Sequence, residues 1–511
     1  MITTDLEKLL LTLDIENPMF LIDFYKAGHI FQYPDGITRV FSNWTPRSTR
    51  IPGVTKVVNF GFTYFAKKYL IEAFNKHFFS RPEEEVIAEY EMVMGATIGL
   101  TESSHIRALH QLQYLPVEIW SLPEGFQVPL NIPPIIVVNT HKDFAWVTNY
   151  IESLMSSILW KPSTSATKAR RYREICMKHA RAAGELDFGF VDWQCHDFSF
   201  RGMSGVEDAC LSGMGHLLSF SGTDTLPAIL SAVKYYRANL NCGGSVNATE
   251  HSVMCAGGEE GELETFERLL FKVYPKGILS VVSDTWDLWS VLTDIICKLK
   301  ERIIARDGKL VIRPDSGDPE KIILGNDDYK GMNHQYKSFE HPAYLGAMEC
   351  LRRALGTVPN PTGRLPLINK GGLIYGDAIT EERADNILGG IVKQGLSPYN
   401  QVLGVGSYTY EYVTRDTFGN AMKATAIEKD GKIIPIFKKP VTDSGGKFSH
   451  RGLLAVYRTT LSTDDNPTYE LLQNVTEEEF RNCAYEQVFI DSNLKIDPTF
   501  DVIRDRVRKG L

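Results

Sequence analysis

The chain carries His196-Asp197-Phe198-Ser199-Phe200-Arg201-Gly202 directly after a run typical of a β-strand, and four further polar motifs follow such runs in the same way. These are Gly222-Thr223-Asp224-Thr225, Thr249-Glu250-His251-Ser252, Ser283-Asp284-Thr285 and Arg313-Pro314-Asp315-Ser316-Gly317. The steps from Asp197 to Asp224, His251, Asp284 and Asp315 measure 27, 27, 33 and 31 residues. Because a βα unit takes roughly 30 residues, the spacing predicts a repeated βα unit with one site at the carboxyl-terminal mouth of a barrel.

The polar residues of these motifs have an alternative explanation as helix N-caps, because Asp, Ser and Thr favour the turns that lead into helices. Capping would account for Thr225, Ser252 and Thr285. It does not account for Arg313 in front of a proline, or for the aromatic and cationic side chains crowded into the first motif. The pattern therefore favours an active site.

The composition is that of an ordinary globular protein with more than one domain. A chain of 511 residues suggests two or three domains, and 43% hydrophobic with 23% charged residues are typical values. The net charge of −8 argues against a nucleic-acid partner, which would require a basic surface. Eight cysteines without a CxxC pair, no signal peptide and no membrane-spanning run predict a cytoplasmic protein with reduced thiols.

Three regions along the chain differ in character. Residues 1–180 are rich in aromatics and helical patterns and predict an α+β domain, whereas strands alternate with helices in 181–425. Residues 426–511 are β-rich, with a hairpin signal at Asp430-Gly431, and are expected to pack with the amino-terminal domain. The predicted fold class is α/β: an irregular (β/α) barrel plus an α+β domain built from both chain ends.

Familiar nucleotide, zinc and hydrolase motifs are absent from the sequence, which has no P-loop, no complete dinucleotide fingerprint, no HExxH and no GxSxG. The strand-end side chains offer other chemistry. Asp224 is a hydrogen-bond acceptor without an accompanying base and suits an amide or a hydroxyl, and Arg313 offers forked donors for a carbonyl or carboxylate. Phe198 would suit a flat ring, although a lone Phe at a strand end is more often core.

A second group of candidates indicates ribose and phosphate. Asp377 after Gly376 would suit a ribose diol, although a helix cap explains it equally well. Gly406-Ser407 would add backbone amides for a phosphate. The later basic residues either bind phosphate or form a solvated face, and they are Arg415, Lys423, Lys438 and Lys447.

Together these motifs resemble the nicotinamide phosphoribosyltransferase family, which has the type II phosphoribosyltransferase fold. The similarity extends nearly end to end, from Asp23-Phe24-Tyr25-Lys26 to Thr414-Arg415-Asp416, and HDFxxRG, GTDT and IRPDSG at these spacings are specific. The resemblance implies that nicotinamide and phosphoribosyl pyrophosphate give nicotinamide mononucleotide and pyrophosphate in NAD salvage. It also implies a homodimer in which both subunits line each site. The chain departs from the family pattern at Ala378, where a glycine is expected.

The resemblance assigns roles around the nicotinamide ring. Phe198 would stack on one face of the pyridine ring and Tyr25 of the partner subunit on the other, where they would stabilise the pyridinium product. Asp224 would accept from the carboxamide NH₂, and Arg313 would donate to its carbonyl. The ribose and the rest of the substrate would be bound by Asp315, Asp377, Gly376 and Asp23.

Phosphate groups and ATP complete the roles that the resemblance implies. His251 would be phosphorylated by ATP, with Glu250 and Asp284 orienting or neutralising it, and Mg²⁺ would accompany the pyrophosphate. The phosphate-binding residues that the resemblance implies are Arg201, Arg415, Gly406 and Ser407, with Arg47 of the partner subunit and Lys423 of the partner subunit. Lys438 and Lys447 are further phosphate candidates from the basic run alone.

Three other interpretations remain open at this stage. A nicotinate phosphoribosyltransferase would share the fold, but a carboxylate at Asp224 repels the carboxylate of nicotinate. A non-catalytic binding protein on the same fold would not need the full set of acids, Arg and His. A metal-dependent barrel hydrolase is disfavoured because the histidines do not cluster at ligand spacing.

Overall fold

The computed structural model describes residues 11, 13–338, 340–376, 378–438 and 450–511. The chain divides into two compact units. The α+β unit comprises residues up to 164, 231–238 and 413–510, and the barrel unit comprises 165–230, 239–412 and 511. The chain first passes between them inside the helix Glu152–Ala182, before the boundary at 180 that the sequence predicts, and it returns at 413 instead of 425. No helix within the described ranges has the length and apolar character needed to span a bilayer.

Seven strands form the sheet of the barrel unit, and every pair of neighbours is parallel. The strands are β1 (Cys195–Asp197), β2 (Gly222–Thr223), β3 (Asn247–Ala248), β4 (Lys276–Val282), β5 (Asp307–Arg313), β6 (Gly371–Tyr375) and β7 (Gln401–Val405). Their order across the sheet is β2-β1-β7-β6-β5-β4-β3. Apart from β2 and β3, which form the two edges, each strand lies beside its neighbours in the chain, and β7 lies beside β1.

The two edges of this sheet come together. The amide of Thr223 donates to the carbonyl of Gly244 at 2.9 Å, and the amide of Gly244 donates to the carbonyl of Ser221 at 2.8 Å, just before β3 begins. The parallel sheet thus curls into an incompletely bonded cylinder. The irregular (β/α) barrel predicted from the motif spacing is confirmed.

Side chains along the strands alternate between the two faces of the sheet. One set packs outward into the helix-covered core, and it includes Leu279, Val281, Leu310, Ile312, Leu373 and Leu403. The residues between them face the inside of the curled sheet and line a cavity, and they include Ile278, Ser280, Lys309, Val311, Ile374 and Val402.

Helices connect successive strands, as a βα repeat requires. Thr380 begins the helix Glu381–Lys393 by accepting from the amide of Arg383 at 3.2 Å. A short hairpin, Thr357–Val358 with Leu367–Ile368, lies between β5 and β6. The other helical segments are Val206–Leu217, Leu226–Tyr236, His251–Cys255, Glu262–Arg268, Leu269–Val273, Leu288–Ser290, Val291–Ile295, Ile296–Ala305, Pro319–Leu324, Pro342–Leu345, Ala347–Leu355 and Ser407–Tyr410.

The α+β unit is built on an antiparallel sheet of seven strands from both chain ends, as the sequence predicts. The predicted hairpin at Asp430-Gly431 joins the first two of these strands. In spatial order the strands are Lys432–Pro435, Ala421–Lys429, Ile37–Thr45, Ile135–Asn139, Val117–Ser121, Glu486–Ile490 and Asn493–Leu494.

Smaller elements complete this unit. Two antiparallel pairs join Lys56–Val58 to Gln127–Pro129 and Leu453–Arg458 to Tyr469–Val475. The helical segments are His29–Gln32, Phe62–Phe65, Ala66–Ala73, Asn75–Phe79, Glu83–Ile98, Ser104–Leu112, Val147–Tyr150, Glu477–Arg481 and Phe500–Arg508.

Candidate active site

The carboxyl-terminal ends of all seven barrel strands carry a residue that the sequence singled out. Parallel strands place these ends at one mouth of the cylinder, which is where (β/α) barrels build their active sites. In strand order the residues are Phe198, Asp224, Glu250 with His251, Asp284, Arg313 with Asp315, Gly376, and Gly406 with Ser407. Asp377 lies outside the described residues.

A buried carboxylate fixes the turn after β1. Asp197 is fully buried, and its Oδ1 accepts from the amide and the hydroxyl of Ser199 at 2.9 and 2.7 Å. The amide of Phe198 donates to the carbonyl of Val405 on β7 at 2.9 Å. These bonds hold the backbone on both sides of Phe198, so Asp197 has a structural role and its neighbour carries the candidate binding surface.

The Phe198 ring lies beside an arginine at the end of β5. The guanidinium carbon of Arg313 is 5.2 Å from the centre of that ring. Arg313 Nε and a terminal nitrogen donate to the two oxygens of Asp315 at 3.1 and 2.9 Å, which gives a forked pair of fixed geometry. The structure therefore brings together the residues expected at the ring and at the ribose.

Two glycines allow this close packing. A Cβ atom on Gly376 would lie 3.2 Å from the Phe198 ring, and one on Gly404 would lie 2.6 Å from the ring and 2.5 Å from Gly376 Cα. Gly376 was expected to make room for the ribose. The structure shows that Gly376 also leaves room for the Phe198 ring, against which a Cβ would be tight.

Asp224 has an accompanying base, contrary to the expectation from the sequence. Its Oδ1 accepts from His196 Nε2 at 2.8 Å and from Ser245 Oγ at 2.6 Å. His196 reaches Asp224 from the neighbouring strand β1, and Ser245 reaches it where the barrel closes between β2 and β3, so neither partner is apparent from the residues around Asp224 in the sequence. Among the residues that the structure describes, Oδ2 of Asp224 accepts no hydrogen bond, and the side chain is 47% exposed.

The surroundings of Asp224 favour its charged form. Burial alone would raise the pKa of this carboxyl, but the hydrogen bond and charge of His196, the bond from Ser245 and the charge of Arg313 together lower the pKa. An ionised carboxylate with one oxygen held by protein donors leaves the other oxygen for a donor on a ligand. An amide NH₂ supplies such a donor.

His251 is half-exposed at the start of the helix after β3. Its Nδ1 lies 3.1 Å from Thr285 Oγ1, and its Nε2 lies 3.9 Å from Asp284 Oδ1. Glu250 was expected to orient the ring together with Asp284. The structure places the Glu250 carboxylate against the hydroxyl of Ser252 instead, so Thr285 and Asp284 are the groups that contact the imidazole.

Asp284 connects His251 to the substrate-binding turn. Its Oδ2 accepts from the amides of Asp315 and Ser316, both at 2.8 Å. Its Oδ1 is buried, faces His251, and has no hydrogen-bond partner in the described part of the chain. One carboxylate therefore touches both the ring that is expected to be phosphorylated and the turn that carries Asp315.

The capping explanation fails for all three residues to which it was applied. The hydroxyl of Ser252 donates to the carboxylate of Glu250, and the helix His251–Cys255 has no side-chain cap. The hydroxyl of Thr225 is buried without a hydrogen-bond partner among the described residues, and Thr285 contacts His251. Asp287 caps the helix after β4, where its carboxylate accepts from the amides of Trp289 and Ser290.

The loop after β7 adjoins the first motif. A Cβ atom on Gly202 would lie 2.3 Å from Ser407 Oγ, so the glycine lets these two loops touch. Arg201 beside it is exposed. Gly406 precedes the short helix Ser407–Tyr410, whose first amides have no partner within the helix. Arg201, Gly406 and Ser407 are thus neighbours, as the phosphate expectation requires.

The remaining candidates belong to the α+β unit. Tyr25 is 58% exposed, and Asp23 accepts from Ser153 Oγ at 2.6 Å. Burial, Glu152 and Asp23 raise the pKa of Tyr25, and the charge of Arg415 opposes that shift. Arg415 therefore lies in the same unit as Tyr25, whereas Arg201 lies in the barrel unit.

Four basic residues form a cationic cluster in the α+β unit: Lys26, Arg47, Lys423 and Lys438. Burial lowers the pKa of Lys423, Glu152 raises it, and the charges of the other three lower it further. Such mutual repulsion marks a site that favours an anion. Three of the four were expected to bind phosphate, whereas Lys26 is buried and pairs with Glu152. Lys447 lies outside the described residues.

One group of possible metal ligands stands out in the described ranges, and it is in the α+β unit. Asp14, Glu16 and His77 each place a ligand atom within 4.8 Å of the others. Asp14 Oδ2 lies 2.7 Å from His77 Nδ1 and 4.0 Å from an Arg81 nitrogen. Because a cation already adjoins the group, it is explained as an ion-pair network.

Comparison with known proteins identifies the family. The model of the nicotinate phosphoribosyltransferase (NAPRTase) family matches residues 193–482. A nicotinamide phosphoribosyltransferase of Acinetobacter baylyi is 44% identical over 508 residues, covering 97% of this chain and 98% of that protein. One from Mycoplasma pneumoniae is 34% identical over 462 residues, covering 85% and 96%. The crystal structure of human nicotinic acid phosphoribosyltransferase has the same fold, with a TM-score of 0.58 at 14% identity over 95% of this chain and 92% of that one. The chain belongs to the nicotinate phosphoribosyltransferase family.

Proposed function

We propose that this protein is a nicotinamide phosphoribosyltransferase, a pentosyltransferase of NAD salvage. It transfers the phosphoribosyl group of phosphoribosyl pyrophosphate to the ring nitrogen of nicotinamide and releases pyrophosphate. The proposal rests on Asp224. Its Oδ1 is held by His196 and Ser245, and its lowered pKa keeps the carboxylate ionised. The two relatives above, of 44% and 34% identity, bear the same name.

Asp224 selects the amide over the acid. The carboxamide NH₂ donates to Oδ2, and the carboxamide carbonyl accepts from Arg313. Nicotinate would bring a carboxylate against the Asp224 carboxylate, and a close like-charge contact disfavours binding strongly. Phe198 supports one face of the ring, and the same face stabilises the pyridinium cation of the product.

Acids and cations at the site suit the transition state of this transfer. The ribose carbon gains positive charge as pyrophosphate leaves, so carboxylates near the ribose and cations at the leaving group both lower the barrier. Asp315 is the carboxylate near the ribose. Arg201 and the loop at Ser407 bind the leaving pyrophosphate. Asp284 and Asp315 offer the oxygen ligands that Mg²⁺ prefers. When bound, the ion neutralises charge on the pyrophosphate.

ATP acts on the same site through His251. One imidazole nitrogen attacks the γ-phosphorus of ATP, the phosphorus–oxygen bond to ADP breaks, and a phosphohistidine forms. Asp284 faces that ring with Oδ1 and binds the amides of Asp315 and Ser316 with Oδ2. A change of charge on His251 is thereby transmitted to the turn that holds the ribose.

The active unit is a homodimer with shared sites. Tyr25 and Phe24 are 58% and 55% exposed, an unusual state for two adjacent aromatic side chains. The cationic cluster lies in the same unit. A second copy of the chain would use this surface to cover the nicotinamide ring and to bind phosphate at the barrel mouth of the first.

Replacement of Asp224 tests the proposed function. Asp224→Ser removes the carboxylate, and we expect kcat/KM for nicotinamide to fall. The loss should correspond to about 1–3 kcal/mol of transition-state stabilisation, the usual cost of an unmatched buried donor. The ratio of nicotinamide to nicotinate use should fall with it. The matched control is Asp307→Ser, at the exposed amino-terminal end of β5. An unchanged ratio in Asp224→Ser would contradict the role of this residue.

Labelling with γ-³²P-ATP tests the ATP step separately. The wild-type protein should form an acid-labile, base-stable phosphoprotein, and His251→Ala should not, although it should still bind nicotinamide through Phe198, Asp224 and Arg313. Equal labelling of the Ala variant would place the phosphate on another residue.

A further inference from the structure

The turn after β5 carries Asp315, the carboxylate expected near the ribose, and this turn is held from its β4 side. The carboxylate of Asp284 accepts from the amides of Asp315 and Ser316, both at 2.8 Å. Firm support matters at such a position, because a misplacement of about 1 Å can cost about a hundredfold in rate. A side chain that reached the same turn from β6 would hold it from both sides.

Arg383 reaches the turn from the β6 side. This residue lies in the first turn of the helix Glu381–Lys393, which follows β6. One terminal nitrogen of its guanidinium donates to the carbonyl of Ala378 at 2.8 Å, and the other lies 3.7 Å from Oδ2 of Asp318. Because Ala378 belongs to the turn after β6 and Asp318 to the turn after β5, one side chain joins the two turns.

The β5 turn is itself well ordered at this point. Asp318 caps the helix Pro319–Leu324 with its other carboxylate oxygen. The hydroxyl of Tyr375, the last residue of β6, donates to the carbonyl of Gly317 at 2.9 Å. The β5 turn is thus tied to β6 by the phenol and to the turn after β6 by the guanidinium of Arg383.

The backbone of Ala378 needs such support. Its φ is 52°, in the left-handed region where a residue with a side chain is strained and glycine is not. Strained backbone persists only when its surroundings determine it. Arg383 binds the Ala378 carbonyl, and the hydroxyl of the buried Tyr172 donates to the carbonyl of Ile379 at 2.8 Å. Side-chain bonds to two consecutive carbonyls therefore hold the turn in a conformation that alanine alone does not favour.

The ion pair between Arg383 and Asp318 contributes little to the stability of the fold. The two side chains are 33% and 44% exposed, and ion pairs at such sites are weakened by solvent. A pair that stabilises little but joins two turns of the candidate active site is better explained by the placement of those turns.

We propose that Arg383 is a positioning residue for the phosphoribosyl group, because it holds the turns after β5 and β6 at the spacing that the ribose requires. The inference rests on the proposed function, since it takes phosphoribosyl pyrophosphate as the substrate. Arg383 acts through the Ala378 carbonyl and the Asp318 carboxylate and need not touch the substrate. It complements Asp284, which holds the β5 turn from the other side.

Calorimetric titration of the full-length protein with phosphoribosyl pyrophosphate and Mg²⁺ tests the proposal without a pyridine substrate. We expect Arg383→Met to weaken this binding by about tenfold, because the two turns lose their connection. Arg383→Lys, which keeps a charge but not the fork, should have intermediate affinity. Nicotinamide, titrated alone, should lose less affinity, because Phe198 and Asp224 are held by contacts on other strands.

Asn386→Ala is the matched control. Asn386 lies about one turn further along the same helix, and its side-chain amide donates to the carboxylate of Glu320 at 3.3 Å. The variant removes a contact between the same two helices without touching either turn, so its affinity for phosphoribosyl pyrophosphate should equal that of the wild type. Thermal melting verifies that every variant is folded.

Ala378→Gly provides an independent measurement. Glycine adopts a positive φ without strain, so the turn depends less on the bond from Arg383. Ala378→Gly in the Arg383→Met background should therefore recover part of the lost affinity.

Three outcomes would overturn the role of Arg383 alone. They are unchanged affinity for phosphoribosyl pyrophosphate in Arg383→Met, an equal loss of affinity for nicotinamide, and a double variant that binds no more tightly than Arg383→Met. A folded wild-type protein that does not bind phosphoribosyl pyrophosphate would instead refute the proposed function, and the inference with it.

Discussion

The two oxygens of the Asp224 carboxylate have different tasks. Oδ1 is held by His196 and Ser245, and Oδ2 accepts no hydrogen bond from the described residues. His196 also packs against Phe198, with ring centres 4.8 Å apart. In the proposed site His196 is therefore a positioning residue, because it holds both the carboxylate that would select the amide and the ring that would support the pyridine.

Replacement of His196 should move the acid limb of the pH profile. His196 helps to lower the pKa of Asp224, so His196→Ala should raise that pKa and shift the acid limb of kcat/KM for nicotinamide towards neutral pH. We expect a loss of about ten- to a hundredfold, the effect of leaving a buried polar group unpaired. His196→Gln, which keeps a donor, should recover part of the activity. An acid limb that stays in place in His196→Ala would rule out this positioning role.

The buried ammonium of Lys309 should lower the stability of the ligand-free protein. Its folded-state pKa is about 8, below the ordinary value of about 10.4, so the unfolded chain binds the proton more tightly. The free energy of unfolding should then rise with pH across this window. Lys309→Met should be more stable at pH 7 by about 1–3 kcal/mol, and its advantage should vanish near pH 10.5. Urea unfolding at pH 7, 9 and 10.5 measures this, and a less stable Met variant at pH 7 would contradict it.

Among the structural elements, β6 and β7 are neighbours in the sheet and lie directly against the Phe198 ring. A side chain at Gly404 would meet Gly376 Cα at 2.5 Å and the ring at 2.6 Å. Neither strand can move far, because Tyr375 pairs with Leu403 in the parallel sheet. The position of the ring is thus set by two strands that tolerate no Cβ between them.

A methyl group added at Gly404 should displace the Phe198 ring. We expect Gly404→Ala to destabilise the fold by about 1–3 kcal/mol through overpacking and to raise KM for nicotinamide. Gly205→Ala is the matched control, because a Cβ at Gly205 meets nothing within 4 Å. Thermal melting and steady-state kinetics of both variants provide the measurement. Equal melting temperatures and equal KM values in the two variants would show that the space around Gly404 accommodates a methyl group.

The residues at the strand ends were predictable from the sequence, but the residues that contact them across the barrel were not. The steps between polar motifs placed Asp224, His251 and Arg313 at one mouth, because each follows its own strand. The bond between Ser245 and Asp224 depends on closure of the sheet between β2 and β3, which no local pattern encodes. Lys309 has the same parity as Val311 in β5, so alternation alone would have turned it inward, but a strand lysine is normally attributed to the surface.

For the whole molecule, the candidate residues fall into two sets. The barrel unit holds Phe198, Asp224 and Arg313, and the α+β unit holds Tyr25 and the cationic cluster. Because the proposed site needs both sets from different subunits, two inactive variants should complement each other. Tyr25→Ala mixed with Asp224→Ala, after subunit exchange, should recover some activity in hybrid sites that have both residues intact. No recovery from exchanged, folded dimers would refute the shared site.

Product analysis of the wild-type protein tests the central claim most directly. The protein is given equal concentrations of nicotinamide and nicotinate with phosphoribosyl pyrophosphate and Mg²⁺, and the mononucleotides are separated by mass. If Asp224 selects the amide, nicotinamide mononucleotide should form in large excess over the nicotinate product, and its rate should rise when ATP is added. Predominance of nicotinate mononucleotide, or the absence of both products from folded protein, would contradict the account.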